Sequence, residues 1–228
     1  MRRTVRRSVL AQVALLTGVL TACSESTSTD EAKESSPSVI ASESAKAAEA
    51  VESGGTVGPA GSACELPVTF DTAAKWKPEA IGTAPAESDS GNEIAEELAE
   101  GLLHQGPFTA ACEIDAKPAG NIGFIRVWTG EAGAKAEDAE ALLKEFVAAE
   151  GNTSEARYSD FASDSDVSGA EVQYLYTSEA LEETKKERAF ITVTPEGPVV
   201  VHLGGFDTAE HEAMLPAYEL AKRTLRTT

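Results

Sequence analysis

The chain is short of cysteine, histidine, tryptophan and positive charge. Its 228 residues hold three cysteines, three histidines and two tryptophans, and 38 acidic residues against 19 basic ones give a net charge of −19. No two cysteines form a C-x-x-C, so a zinc ribbon or thioredoxin-type redox motif is excluded. G-x-S-x-G, H-E-x-x-H, P-loop and G-x-G-x-x-G patterns are all missing, and hydrolase, metalloprotease and nucleotide chemistry lack their usual residues. No enzymatic activity and no cofactor are therefore expected. Nucleic acid is excluded as a partner, because a phosphate backbone is held by clustered Lys and Arg.

Long apolar runs are missing too, apart from one near the start. Arg2, Arg3, Arg6 and Arg7 precede an apolar stretch from Val9 to Ala22, with no acidic residue before Cys23. A basic n-region followed by a run too short for a permanent bilayer span is the pattern of an export signal, here residues 1–22. Arg6-Arg7-Ser8-Val9-Leu10 resembles part of a twin-arginine signal, with Val9 and Ala11 departing from it, so the export route stays open. The run ends in Leu20-Thr21-Ala22-Cys23, which resembles the lipobox of bacterial lipoproteins. That resemblance implies a diacylglyceryl thioether on Cys23 and membrane lipid as a partner. Each buried methylene contributes about 0.8 kcal/mol, so two or three acyl chains, palmitate among them, anchor where one does not. The expected location is the extracytoplasmic face of the cell membrane.

Residues 23–63 are almost all Ser, Ala, Glu, Thr and Gly. Such a segment buries too little to offset its ordering entropy and reads as a tether, with a reach of roughly 30–40 Å if coiled. Without the four signal arginines the net charge moves from −19 to −23. One domain, residues 64–228, is long enough for its own core. Cys64 and Cys112 are left as an even pair in an oxidising compartment and are expected to form a disulfide. The alternatives, two reactive thiols or half a metal site, have no C-x-x-C or neighbouring His to support them.

Within the domain, "ELPVTF" alternates as a half-buried strand with Leu66, Val68 and Phe70 on one face. "NEIAEELAEGLL" (residues 92–103) and "AEDAEALLKEFVAAEG" carry helical spacing. "FTAACEI", "IGFIRVW", "AEVQYLYT", "RAFITVT" and "PVVVHLGG" read as strands, the last two joined by a hairpin turn at "PEG". Asp207 and Glu210 resemble a capping box for a C-terminal helix, inside which Pro216 is expected to force a kink or split off a first turn. Hairpins outnumber crossovers, so the fold class is α+β, a mainly antiparallel sheet packed with helices.

The run from "AEDAEALLKEFVAA" through "GAEVQYLY" and "RAFITVTPEGPVVVHLGG" to "MLPAYELAKRTL" is similar to actinobacterial LpqN-type lipoproteins, whose domain is Mog1/PsbP-like. The resemblance rests on element order and implies an antiparallel sheet between helices. It also implies a binding or assembly module without a shared catalytic site, so no functional residue carries over. The partner implied is an unidentified protein or envelope ligand. The alternative is a small-ligand carrier or metal-responsive sensor with a pocket between sheet and helix.

Two groups offer metal-type ligands. Asp164, Asp166 and Ser168, followed by Gly169, match the first half of a calcium loop, but Leu175 stands where a bidentate Glu belongs. An acidic solvated loop, with Gly169 turning into the next strand, explains the same letters. His202, Asp207, Glu210 and His211 would supply a second set if they converged, against the plainer reading of a strand histidine beside an acidic helix start. Trp76 and Trp128 are expected to close the core.

Overall fold

"PVVVHLGG" forms a strand in which every residue is buried, so it must be covered on both faces. It is the middle of an eight-stranded sheet, and its neighbours explain the rest of the fold. The computed structural model describes residues 51–82 and 101–228. The signal peptide, Cys23, most of the tether, the loop after Gly82 and most of the helix expected at 92–103 lie outside the described residues; residues 101–103 are helical.

In chain order the strands are β1 (Ser53–Val57), β2 (Val68–Ala73), β3 (Lys77–Ala80), β4 (His104–Gln105), β5 (Phe108–Asp115) and β6 (Gly123–Gly130). Helix α1 (Ala139–Glu150) is followed by β7 (Thr153–Ala162), β8 (Ser168–Ser178), β9 (Glu183–Thr194) and β10 (Gly197–Gly205), then helix α2 (Thr208–Arg223) and β11 (Arg226–Thr227). The large sheet runs β3-β5-β6-β10-β9-β8-β7, with β4 on β5, and a three-stranded sheet runs β1-β2-β11. All these pairings are antiparallel, as expected.

Two cores follow from the alternation of β10. Val199, Val201 and Leu203 pack with Val68 and Phe70 of β2 and with Met214, Tyr218 and Ala221 of α2. Val200 faces the other way, among Phe108, Trp128, Leu143 and Phe146 under α1. Strand β5 contributes to both. Ala110 pairs with Trp128 and Cys112 with Val127, so Ala111 is an extra residue, a bulge. Phe108 and Ala110 therefore lie on the α1 side, while Cys112 and Ile114 turn to the α2 side. There Cys112 meets Cys64, their Cα atoms 5.9 Å apart in a disulfide. Trp76 and Trp128 are both buried in the core.

Two sequence expectations are corrected, and two strands escaped the sequence reading. The folded domain begins near residue 51, upstream of Cys64, because β1 already pairs with β2. Strand β1 is "SGGTV", exposed at all but its last residue, so it carries no alternation to read. Strand β7, exposed along nearly its whole length at the sheet edge, is unreadable for the same reason. Pro216 splits no first turn off helix α2, which runs as one element from Thr208 to Arg223. The carbonyl deprived of its donor belongs to Glu212, an exposed residue of the helix.

Candidate functional site

On the α1 side, where one end of the apolar layer gives way, five polar side chains converge. Glu150 is the last residue of α1; Tyr174, Glu187 and His202 come from adjacent strands β8, β9 and β10; Lys185 lies two residues from Glu187 on the same face. The Tyr174 hydroxyl donates to Glu150 Oε2 at 2.5 Å and lies 3.2 Å from His202 Nε2. Glu187 Oε2 is 3.0 Å from the same nitrogen, and Glu187 Oε1 is 2.7 Å from Lys185 Nζ, which also donates to the Gly205 carbonyl at 2.7 Å. Phe146 closes the cluster with an edge-on contact to the imidazole, and Tyr174 stacks along it.

Burial shapes the charges here. It opposes protonation of His202, but Glu187 beside the ring, with Glu150 behind it, holds the imidazole pKa above its ordinary value. Burial raises Glu187 as well, yet His202 and Lys185 outweigh it and hold that carboxyl below the usual range. Glu150 goes the other way: burial lifts its pKa in spite of His202 and Tyr174. Burial and the two carboxylates push the Tyr174 phenol well up, so it stays a neutral donor. The stability tied to the His202 charge is present below the unfolded histidine pKa and lost as pH rises through the raised folded value. The part tied to Glu187 is lost as pH falls through its lowered value.

His211, on α2, titrates in the opposite sense. It is 2% exposed, its Nδ1 has no hydrogen-bond partner, and burial leads the causes that bring its pKa from 6.5 to about 4. The folded state binds this proton less well than the unfolded chain, so stability is full above pH 6.5 and falls toward pH 4. The loss from this residue amounts to about 3 kcal/mol at about 1.4 kcal/mol per pKa unit. His211→Leu is expected to remove that loss: urea midpoints matched at pH 7.5 should diverge by pH 4.5 in favour of the variant. Parallel acid profiles would show that His211 does not carry the effect.

The sequence-predicted ligands separate. His202 joins the buried cluster. Asp207 caps α2 by accepting from the Glu210 amide at 2.8 Å, and Glu210 Oε2 accepts from the Ile122 amide at 2.9 Å. His211 lies within α2. These four do not form one site: among the described residues, Glu150, Glu187 and His202 are the group placed to share an ion. Asp164, Asp166 and Ser168 belong to the β7–β8 hairpin. Ser163 Oγ accepts from the amides of Ser165 and Val167, and Asp164 lies 3.6 Å from the Arg223 guanidinium. The left-handed residue is Asp166, with φ 59°. Gly169 is required for a different reason than a calcium loop supplies: a Cβ there would sit 1.9 Å from the Ile191 carbonyl oxygen of β9. Glu150 and Glu187 were missed by sequence reasoning. The signal available for Glu187 was a charge that keeps the inward parity of Ala189 and Ile191.

A second feature lies at the same end of the sheet. Leu181 in the β8–β9 turn is 60% exposed, Phe206 after β10 is 55% and Ile122 before β6 is 52%. Phe206 and Leu181 line one depression with Tyr176, and the Phe206 amide donates to the Ile122 carbonyl, so the three are contiguous. Glu179 and Glu182 of the same turn and Glu183 at the start of β9 are exposed beside them. The N-terminal segment arrives at this end as well. Ser53 pairs with Ala73 at the finish of β2, and the following β3 starts opposite Asp115, at the β5–β6 connection that leads to Ile122.

The chain belongs to a family described as uncharacterised lipoprotein, whose model matches residues 34–225, and is thereby a lipoprotein, the type of protein that is anchored to a membrane. It is similar to the solution structure of cyanobacterial PsbP (CyanoP) from Synechocystis, with a TM-score of 0.47 and 11% identity over 76% of this chain and 98% of that one. No curated protein matches the chain.

Proposed function

We propose that this lipoprotein is of the LpqN type, anchored through lipid on Cys23 at the extracytoplasmic face of the cell membrane, and that it is a non-enzymatic binding or assembly module of the cell envelope. The observation that carries the reading is the contiguous exposure of Ile122, Leu181 and Phe206 at the end where the tether-bearing segment enters. Apolar side chains of this size stay in water only at a cost, and a patch rimmed by polar groups marks a surface that is covered in use. Its rim is acidic, through Glu179, Glu182 and Glu183, on a chain of net charge −19. The occupant is therefore an amphipathic segment of an envelope protein, with apolar side chains for the patch and Lys or Arg for the rim.

The test is a photo-crosslinking amino acid at position 206 of the full-length protein in intact cells. One envelope protein should be captured through a segment of that composition. Glu179→Lys with Glu182→Lys and Glu183→Lys should cut the yield at least roughly tenfold, since like charges then face each other. Adducts with lipid alone, or a yield indifferent to charge reversal, would overturn the proposal. The carrier alternative draws less support. Between the sheet and α1, Phe108, Trp128 and Phe146 are in edge-on contact, and a groove of about 720 Å³ lined by His104, Phe108, Thr129 and Leu142 lies at the surface.

A further inference from the structure

We propose that Glu150, Glu187 and His202 form a binding site for a divalent transition-metal cation of the zinc class, independent of the apolar end. One donor atom from each lies within 4.8 Å of the others. A cation at about 2.0–2.2 Å from every donor needs them somewhat closer, a contraction within reach of three side chains already converging. One imidazole nitrogen with two carboxylates is a donor set for zinc, cobalt or manganese, whereas calcium and magnesium prefer oxygen alone.

A second observation points to a ligand. Glu187 Oε2 is fully buried and accepts no hydrogen bond, although its side chain is 1% exposed. It stands 3.0 Å from His202 Nε2, an ion-pair contact, and no donor meets the oxygen as a hydrogen bond. A buried acceptor in that state is costly, and a cation between the oxygen and Nε2 satisfies both.

The surroundings have the parts such a site needs. Tyr174 donates to Glu150 and orients it from outside the donor set. Lys185 supplies the counter-charge now, with its ammonium on Glu187 Oε1 and its side chain 20% exposed. It has solvent to swing into when an ion takes its place, and that swing opens the way in. Lys185 is thus a competitor of the cation, which separates this proposal from a purely structural ion network: removing it should tighten metal binding.

The full-length protein in detergent, titrated with cobalt(II) chloride, should develop a visible d–d absorption band that zinc abolishes, together with a rise in Tm. His202→Gln and Glu187→Gln should each weaken binding by at least roughly tenfold, and Lys185→Met should strengthen it by about the same factor. His104→Gln and Asp164→Asn should change nothing. Because the buried substitutions can compromise folding, Lys185→Met decides the matter by itself: it leaves all three ligands in place. The proposal is overturned if cobalt gives no band and no change in Tm, if Lys185→Met leaves the affinity unchanged, or if His104→Gln or Asp164→Asn abolishes the signal.

Discussion

A chain with Cys64→Ala and Cys112→Ala together is expected to lose about 4 kcal/mol of unfolding free energy relative to the oxidised protein. The bridge closes a loop across a sequence separation of 48, and the chain-entropy cost of leaving such a loop open is about 4 kcal/mol. Both sulfurs lie in the α2-side core, 1% and 0% exposed, among Val68, Phe70 and Ile114. The bond ties the segment that leads into β2, and so the small sheet, to β5 of the large one. Alanine is the right replacement, since a buried serine would add an unsatisfied hydroxyl. Urea denaturation should show the midpoint falling, and Tm should drop by roughly 10 °C. Reduction of the wild-type chain should reproduce most of the loss. A double variant within 1 kcal/mol of wild type would mean that the small sheet docks without the bond.

Phe146→Ala should cost about as much, some 3–5 kcal/mol. The ring is fully buried and is the hub of the α1-side core, edge-on to Phe108, Trp128 and His202 at 5.7 Å each. The three rings around it, Phe108, Trp128 and His202, are all held by strands, so the space cannot close by small shifts. The Phe146 carbonyl also accepts from Gln105 Nε2 at 3.0 Å, which pins α1 to β4. Phe146→Leu should recover more than half of the loss, because it restores most of the volume. If alanine is tolerated with a loss under 1 kcal/mol, α1 is not held by this packing. Water admitted beside His202 should also weaken the ion pairing with Glu187, so the variant should lose part of the wild-type pH dependence.

Most of the fold could be read from alternation and spacing, where burial follows a period. Leu66, Val68 and Phe70 alternate because β2 has one wet face, and β10 reads as a continuous apolar run because it has none. Strands β1 and β7 escaped because an exposed edge imposes no pattern on its side chains. The disulfide was readable by counting, and the helix cap from Asp207, while the Glu210 carboxylate went to the Ile122 amide and did not complete the expected box. The buried cluster was half readable. His202 was singled out as a ligand, but its partners come from Glu150 at the end of α1 and Glu187 on β9, and which strands become neighbours is decided by sheet order, which no local pattern encodes. The calcium-like loop shows the converse: Gly169 stands where the motif wants it, and β9 is the reason it is there.

The single extra residue in β5 has a consequence beyond local geometry. Phe108, Ala110, Cys112 and Ile114 share one parity, and in an unbroken strand all four would look toward α1. With Ala111 out of register, the strand changes allegiance midway, giving its first half to one core and its second half to the other. The cross-link therefore depends on Ala111 staying out of register. If the same residues were drawn into an unbroken strand, the thiol would turn toward α1 and leave Cys64 without its partner, whereas deletion of Ala111 would give a regular strand in which Cys112 follows Ala110 directly and still faces Cys64.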